Sequence, residues 1–148
     1  MSSKPRIGYI EVRVFAHATE TPEKVLTAVR NILPEELGKE VIFKKDNLTG
    51  HHKNPIIVFS TKLVDKKALP SVLKKIGASL STLDKEELEN NIKLHLEKSN
   101  LYLRFDKQSA YLNETKFSQN DPIHLKIHFK NKTAKEIMAI CREAGLLI

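Results

Sequence analysis

The chain has little of what stabilises a small secreted protein or forms a membrane anchor. Cys141 is the only cysteine among 148 residues, so no disulfide framework can form within the chain. No apolar run approaches the roughly 20 residues that a membrane-spanning helix needs. The opening segment, residues 1–6, lacks the apolar core of a signal peptide. These absences predict a cytoplasmic protein without a membrane partner.

Motifs that carry catalysis or bind metals are also missing. The 5 glycines are scattered, and none belongs to a phosphate-binding loop or to a nucleophile elbow. Adjacent histidines such as His51 and His52 do not easily share one ion. His124 and His128 would lie about 13 Å apart if both belong to one strand. We therefore expect no catalytic residue, no metal and no cofactor.

What the chain does have is positive charge. Lys and Arg number 25 against 18 Asp and Glu, which gives a net charge of +7 and a pI near 9.5. Such an excess on a small protein favours a polyanion as partner, although a Lys-rich surface that only confers solubility has the same composition. With 41% hydrophobic residues the chain is globular, and 1–148 fits one domain with a flexible basic lead at 1–6.

The most informative stretch is Ile123–Lys130. Its odd positions are apolar and its even positions carry nitrogen, in the strict alternation of a half-buried β-strand. One face of that strand would therefore be buried, while the other presents His124, Lys126, His128 and Lys130. A strand that serves only the core has no need of a uniformly basic outer face, so this face suggests a function beyond folding.

Alternation and helix-start signals predict an α+β fold. We expect one largely antiparallel or mixed sheet of about five or six strands, with about four helices packed mainly on one face. The capping box Thr133-Ala134-Lys135-Glu136 is the most specific helix signal. The predicted strands cover residues 9–17, 41–43, 56–63, 101–106, 110–112 and 123–130, and the predicted helices cover 21–33, 65–80, 83–98 and 133–145.

Helices on one face would leave the other face of the sheet open, and the alternation gives that face a basic character. Lys and Arg on it would contact phosphates, and an occasional ring could stack on a base. The same pattern fits a solvated sheet face, or a dimer interface that stacked cations would oppose. The predicted nucleic-acid contacts on the open face are Arg13, Tyr102, Arg104, His124, Lys126, His128 and Lys130, interrupted by Glu11.

A second predicted contact is the polar loop between residues 44 and 54. Its basic residues are Lys44, Lys45 and Lys53, and its length exceeds that of a simple hairpin turn. Surface loops of basic proteins are often basic for no functional reason, so both interpretations stand.

Several segments together resemble a family of small archaeal proteins. They are Val12–Ala16, Pro22–Val25, Leu103–Leu112, Asp121–Ile127 and Cys141–Leu146. The family is labelled RNA-binding or exosome-associated, with a fold similar to the large-subunit ribosomal protein that contacts the small ribosomal RNA. The resemblance implies RNA association and adds three contacts to the predicted site, Lys107, Gln108 and Tyr111, beside the neighbouring Asp106. A hairpin turn that needs these residues for its own geometry would also explain them.

The sequence thus predicts a non-catalytic RNA-binding protein in archaeal RNA processing or ribosome-related work. The alternative is a protein-interaction module that docks on a larger RNA-processing complex, with only incidental RNA contact. An enzyme would need a carboxylate cluster assembled from distant parts of the chain. Oligomeric state stays open, a homodimer included.

Overall fold

The computed structural model describes residues 7–50 and 53–148; the predicted lead 1–6 and the pair His51 and His52 lie outside the described residues. These residues form a six-stranded antiparallel sheet in the order β2-β3-β1-β6-β5-β4. The strands are β1 (Ile7–His17), β2 (Lys44–Thr49), β3 (Pro55–Leu63), β4 (Leu96–Glu97), β5 (Asn100–Phe105) and β6 (Ile123–Phe129).

The helices of the described residues pack on one side of this sheet. They are α1 (Pro22–Ile32), α2 (Glu35–Glu40), α3 (Leu69–Ser79), α4 (Thr82–Asn90), α5 (Ile92–His95), α6 (Lys107–Tyr111) and α7 (Ala134–Ala144). One cluster of buried apolar side chains joins the longer helices to the strands. The predicted α+β fold, with an open antiparallel sheet and helices on one face, is confirmed.

The alternation in β1 and β6 explains how the sheet presents two different faces. Every odd residue of β6 from Ile123 to Phe129 is buried, while the even residues are partly exposed. In β1 the buried residues are Ile7, Ile10, Val12, Val14 and Ala16. Because β1 and β6 are the central strands, their apolar sides form the floor on which the helices pack.

Helix ends are fixed where the sequence signals them. The Thr133 hydroxyl accepts a hydrogen bond from the amide of Glu136, whose carboxylate in turn accepts one from the amide of Thr133. Gly145 ends α7 in a left-handed conformation with φ 90°. A Cβ on Gly77 of α3 would lie 2.5 Å from the carbonyl oxygen of Ala144, so α3 and α7 approach closely only because that residue is glycine.

Two predicted strands are wrong. Residues 110–112 belong to α6 and its end, because Asp106 caps a helix that a turn signal resembles in sequence. The strand predicted at 41–43 lies a few residues later, at Lys44–Thr49, in what was expected to be a loop. All of its side chains are exposed, so pairing with β3 rather than an apolar pattern makes it a strand.

No helix within the described ranges is long and apolar enough to cross a membrane.

Candidate nucleic-acid interface

The side of the sheet that the helices leave uncovered, here called the open face, carries a continuous row of polar side chains across neighbouring strands. Each member is the direct cross-strand partner of the next, and partners on adjacent strands lie about 4.8 Å apart in the hydrogen-bonding direction. In order, the row is Lys44, Ser60, Arg13, His124 and Arg104. It therefore extends about 19 Å across the sheet.

A second row lies beside the first and contains the one acidic residue that the sequence placed on this face. Glu11 of β1 is paired with Lys62 of β3 on one side and with Lys126 of β6 on the other. Tyr102 of β5 follows Lys126 in the same row. Since a cation flanks Glu11 on each side, its carboxylate does not reverse the positive character of the open face.

The third row is aromatic, but its rings already have partners. The rings of Tyr9 and His128 stack with centroids 4.7 Å apart, and Asn100 Oδ1 lies 2.8 Å from His128 Nδ1. The ammonium groups of Lys62 and Lys126 lie 4.4 and 5.6 Å from the Tyr9 centroid. These contacts leave little free surface on the Tyr9 and His128 rings for stacking on a base.

A shallow depression of about 270 Å³ lies where β1, β2 and β3 meet the open face. Its lining includes Arg13, Lys44 and Lys62, together with the hydroxyl-bearing Ser60 and the carboxylate of Glu11. Positive side chains around a hydroxyl donor are the groups that recognise a phosphate oxygen.

In the first row, His124 lies between Arg13 and Arg104. Burial lowers the pKa of its imidazole below the ordinary value of 6.5, and the neighbouring cations of Arg13 and Arg104 lower it further against an opposing effect of Asp121. The neutral form of the His124 imidazole is therefore favoured at pH 7, between two permanent cations. The pKa of Lys126 is raised, chiefly by its hydrogen bond with Tyr9, so Lys126 stays charged.

The open face thus brings together predicted site residues from β1, β2, β5 and β6. These are Arg13, Lys44, Tyr102, Arg104, His124, Lys126 and His128. Lys130 is exposed just beyond the end of β6. Lys45 pairs with the inward residue Phe59, so its side chain leaves β2 on the other side of the sheet, and Lys53 is exposed in the β2–β3 connection.

The residues that the resemblance singled out lie elsewhere, on α6, which adjoins the end of β1. Lys107 is largely buried, and its ammonium donates to the carbonyl oxygen of Phe15 and to Glu20 at 2.9 Å, with Asp121 Oδ2 at 2.6 Å. Gln108 and Tyr111 are exposed on α6. The structure therefore places these three predicted contacts outside the rows of the open face.

One grouping of metal-ligand types occurs within the described residues. Ligand atoms of His17, Glu20 and Asp121 lie within 4.8 Å of one another. The ammonium of Lys107 already binds both carboxylates, and His17 Nε2 lies 3.0 Å from Asp121 Oδ2. A metal ion would have to displace a lysine that satisfies both acids, so this cluster is read as an ion-pair network.

Sequence reasoning missed several members of the open face. Tyr9 shares the odd-number alternation of Arg13 in β1 and could have been found from that pattern. Lys62 and Ser60 could not have been found in this way. Strand β3 is apolar on both sides over much of its length, so its sequence gives no periodic signal. Asn100 begins β5 and is placed only by its pairing with His128.

Comparison with known proteins also indicates a link to RNA. A family model described as RNA binding matches residues 9–129. The chain belongs to this RNA-binding family. An RNA-binding protein of Pyrococcus abyssi is 36% identical over 133 residues, covering 88% of this chain and 86% of that protein. An uncharacterised protein of Methanocaldococcus jannaschii is 32% identical over 148 residues, covering 94% of this chain and 99% of its own length.

Solved structures of similar archaeal proteins share this fold. A protein of Methanothermobacter thermautotrophicus is similar with a TM-score of 0.75 and 28% identity, covering 97% of this chain and 99% of that one. A protein of Archaeoglobus fulgidus has a TM-score of 0.78 at 24% identity, covering 94% and 99% of the two chains. The second likeness concerns the fold alone.

Proposed function

We propose that the open face binds RNA through its phosphates, and that the chain does so without catalysing a reaction. The observation that carries this proposal is the cross-strand row from Lys44 to Arg104, a line of basic and polar side chains that requires no movement to form. A basic row across a sheet can follow the backbone of a nucleic acid in the way that other sheet-based binding surfaces do.

The details of the face favour contacts to the backbone over sequence reading. Tyr9 and His128 stack on each other, and the cations beside Tyr9 occupy the surroundings of its ring. Arg13 and Arg104 carry permanent charge on either side of a neutral His124, which is suited to phosphates arriving at two points. Binding of this kind positions an RNA and depends strongly on salt.

The biological setting belongs to the same proposal. The sequence relatives are archaeal, and one of them is described as an RNA-binding protein. We infer that the chain acts in archaeal RNA processing, in association with the exosome, or in ribosome-related work.

The test is a fluorescence anisotropy titration of labelled RNA across a range of salt. Replacing Arg13→Ala and Arg104→Ala together should weaken binding about tenfold or more at low salt, and should reduce the slope of log K against log salt by about two. The charge-matched control is Lys74→Ala with Lys135→Ala, two exposed lysines of α3 and α7 on the helical side.

The control decides between a site and a general charge effect. If the control pair changes affinity and slope as much as the open-face pair, binding depends on net charge and the open face is not the site. A structured and a single-stranded RNA are both titrated, so that the preferred form of RNA is obtained from the same experiment.

One observation favours the alternative function, docking on a larger RNA-processing complex. β2 is an edge strand with β3 as its one neighbour in the sheet, and its side chains are all exposed. Leu48 within it is 50% exposed, and Ile42 just before it is 86% exposed. A free strand edge can accept a strand from a partner. A salt-resistant stoichiometric partner in a pull-down, with weak RNA binding by the chain alone, would favour this alternative.

A further inference from the structure

A cleft of about 450 Å³ lies beside the open face, at the end of the sheet where α1 and α6 begin. Its walls come from the β1–α1 connection, the first half of α1, α6 and the turn before β6. Its lining includes Glu20, Lys24, Val25, Gln108, Tyr111 and Asp121. Its volume lies within the usual range for pockets that bind small ligands, about 300–1,000 Å³.

The cleft has an aromatic wall with a polar group one helical turn away. Tyr111 is 41% exposed, lines the same cleft as Val25, and has the Lys24 ammonium 5.8 Å from its ring centroid. Gln108 precedes Tyr111 by three positions on α6, so both side chains lie on the same face of that helix. An exposed ring beside an amide that both donates and accepts is the combination that recognises a planar heterocycle.

The charges of the cleft argue against a phosphate as its occupant. Lys107 is the cation deepest in the lining, and Glu20 and Asp121 already bind it on two sides. The remaining cation, Lys24, lies over the Tyr111 ring, while Asp106 adds a further carboxylate to the lining. With no surplus of positive charge, the cleft suits a neutral group with hydrogen-bonding edges.

The aromatic wall is held in place by hydrogen bonds from a neighbouring helix. Asn31 of α1 donates through Nδ2 to the carbonyl oxygens of Ala110 at 2.9 Å and of Tyr111 at 3.3 Å. At the other end of α6, Asp106 accepts from both the amide and the hydroxyl of Ser109. Such a fixed wall lowers the entropy cost of binding a ligand.

The cleft adjoins the open face closely enough for one ligand to reach both. His17 follows Arg13 on the same side of β1 by four residues, about 13 Å along the strand, and contacts Asp121 of the cleft. Asp121 also acts on the pKa of His124 in the first row. The charged row and the neutral cleft are therefore neighbouring parts of one surface.

We propose that this cleft binds one unpaired nucleobase, stacked on the Tyr111 ring and hydrogen-bonded at its edge by Gln108. The inference rests on the proposed function, because the base would belong to an RNA strand whose phosphates contact the open face. It adds a preference for RNA with unpaired nucleotides, which phosphate contacts alone do not supply.

The first test compares a single-stranded RNA with a fully paired duplex in salt series by anisotropy. Tyr111→Ala should weaken binding of the single strand by about tenfold, within the range for loss of one stacked base, and leave the salt slope unchanged. Tyr111→Phe keeps the ring and should bind nearly as the wild type, while binding of the duplex should be the same for all three proteins. Leu94→Ala, an exposed leucine of α5, is the control for loss of apolar surface.

A second measurement separates failure of this inference from failure of the proposed function. Uridine and adenosine, which lack phosphates, are titrated into the ¹⁵N-labelled Arg13→Ala, Arg104→Ala variant. Shifts of the Gln108 side-chain amide, reduced by Tyr111→Ala, would support the cleft even if the open face proves not to bind RNA. No shift, with an unchanged single-strand affinity for Tyr111→Ala, overturns the cleft and leaves the open-face test as it stands.

Discussion

At the scale of single residues, we expect His124 to make RNA binding depend on pH. Its pKa is lowered by burial and by Arg13 and Arg104, with Asp121 acting in the opposite direction. A phosphate bound between the two arginines would favour the charged imidazole, so the complex takes up a proton that the free protein does not hold at pH 7. In the free protein the same lowered pKa means that stability falls as the pH drops below about 6.5, since the unfolded chain is protonated first.

The expected result is that RNA affinity increases as pH falls from 7.5 to 5.5, and that His124→Gln removes part of this increase. We expect that part to be about two- to tenfold, because each unit of pKa shift corresponds to a factor of ten in affinity. Anisotropy at constant ionic strength measures it. Because the chain has 6 histidines, the relevant quantity is the difference between the two proteins, and identical pH profiles would contradict the role of His124.

Sequence reasoning at this scale succeeded where a side chain's direction follows from alternation. Arg13, Arg104, His124 and Lys126 were placed on one face by that rule, and the register places them there. Lys107 was expected among the RNA contacts, but the side chain points inward to partners 87 and 92 positions away in sequence. Such a contact depends on how distant segments meet, and no local pattern encodes it.

At the scale of elements, α6 is the part of the fold that local signals describe least well. Asp106 and Ser109 form the hydrogen bonds of either a turn or a helix start, and a helix of five residues has too few positions to show a period. By contrast, the long strands β1 and β6 and the capped helix α7 were evident from the sequence. Short elements held by their neighbours are those that the sequence alone cannot define.

Lys107 connects α6 to the end of β1 through its hydrogen bond to Phe15 and its ion pair with Glu20. Replacing it should therefore lower the free energy of unfolding. Lys107→Met leaves the carboxylates of Glu20 and Asp121 close together without their common cation. We expect a loss of about 1–3 kcal/mol in the free energy of unfolding. Urea denaturation followed by circular dichroism measures it.

A surface ion pair supplies the comparison for that variant. Lys39→Ala removes a pair with Glu35 in which both side chains are highly exposed, and it should change stability by less than about 0.5 kcal/mol. Equal effects of the two variants would mean that the partly buried network contributes no more than an exposed pair.

At the scale of the whole molecule, the two faces of the sheet differ in what they contribute. The helical side encloses the apolar core, and the open face presents cations whose like charges repel one another. A surface of this kind does not stabilise the fold by itself, and a bound polyanion relieves the repulsion. Binding to the open face should therefore stabilise the core on the other side of the sheet, which is a consequence that can be measured there.

Cys141 is a natural probe for this coupling, being the only cysteine of the chain and 1% exposed in α7. Burial raises the pKa of its thiol to about 12, so alkylation at pH 8 requires the molecule to open. An RNA that binds only the folded state, at about a hundred times its Kd, stabilises that state by about 2.7 kcal/mol. Labelling of Cys141 by iodoacetamide should then slow about a hundredfold, if reclosing is faster than alkylation.

Since Cys141 and the open face lie on opposite sides of the sheet, protection cannot come from RNA covering the thiol. The Arg13→Ala, Arg104→Ala variant, with the same RNA concentration, should show much less slowing. If RNA leaves the labelling rate of the wild type unchanged while anisotropy shows it bound, Cys141 is exposed by a local opening of α7 that leaves the binding face intact. In that case the two sides of the sheet are thermodynamically independent, and the coupling inferred from the shared strands would be wrong.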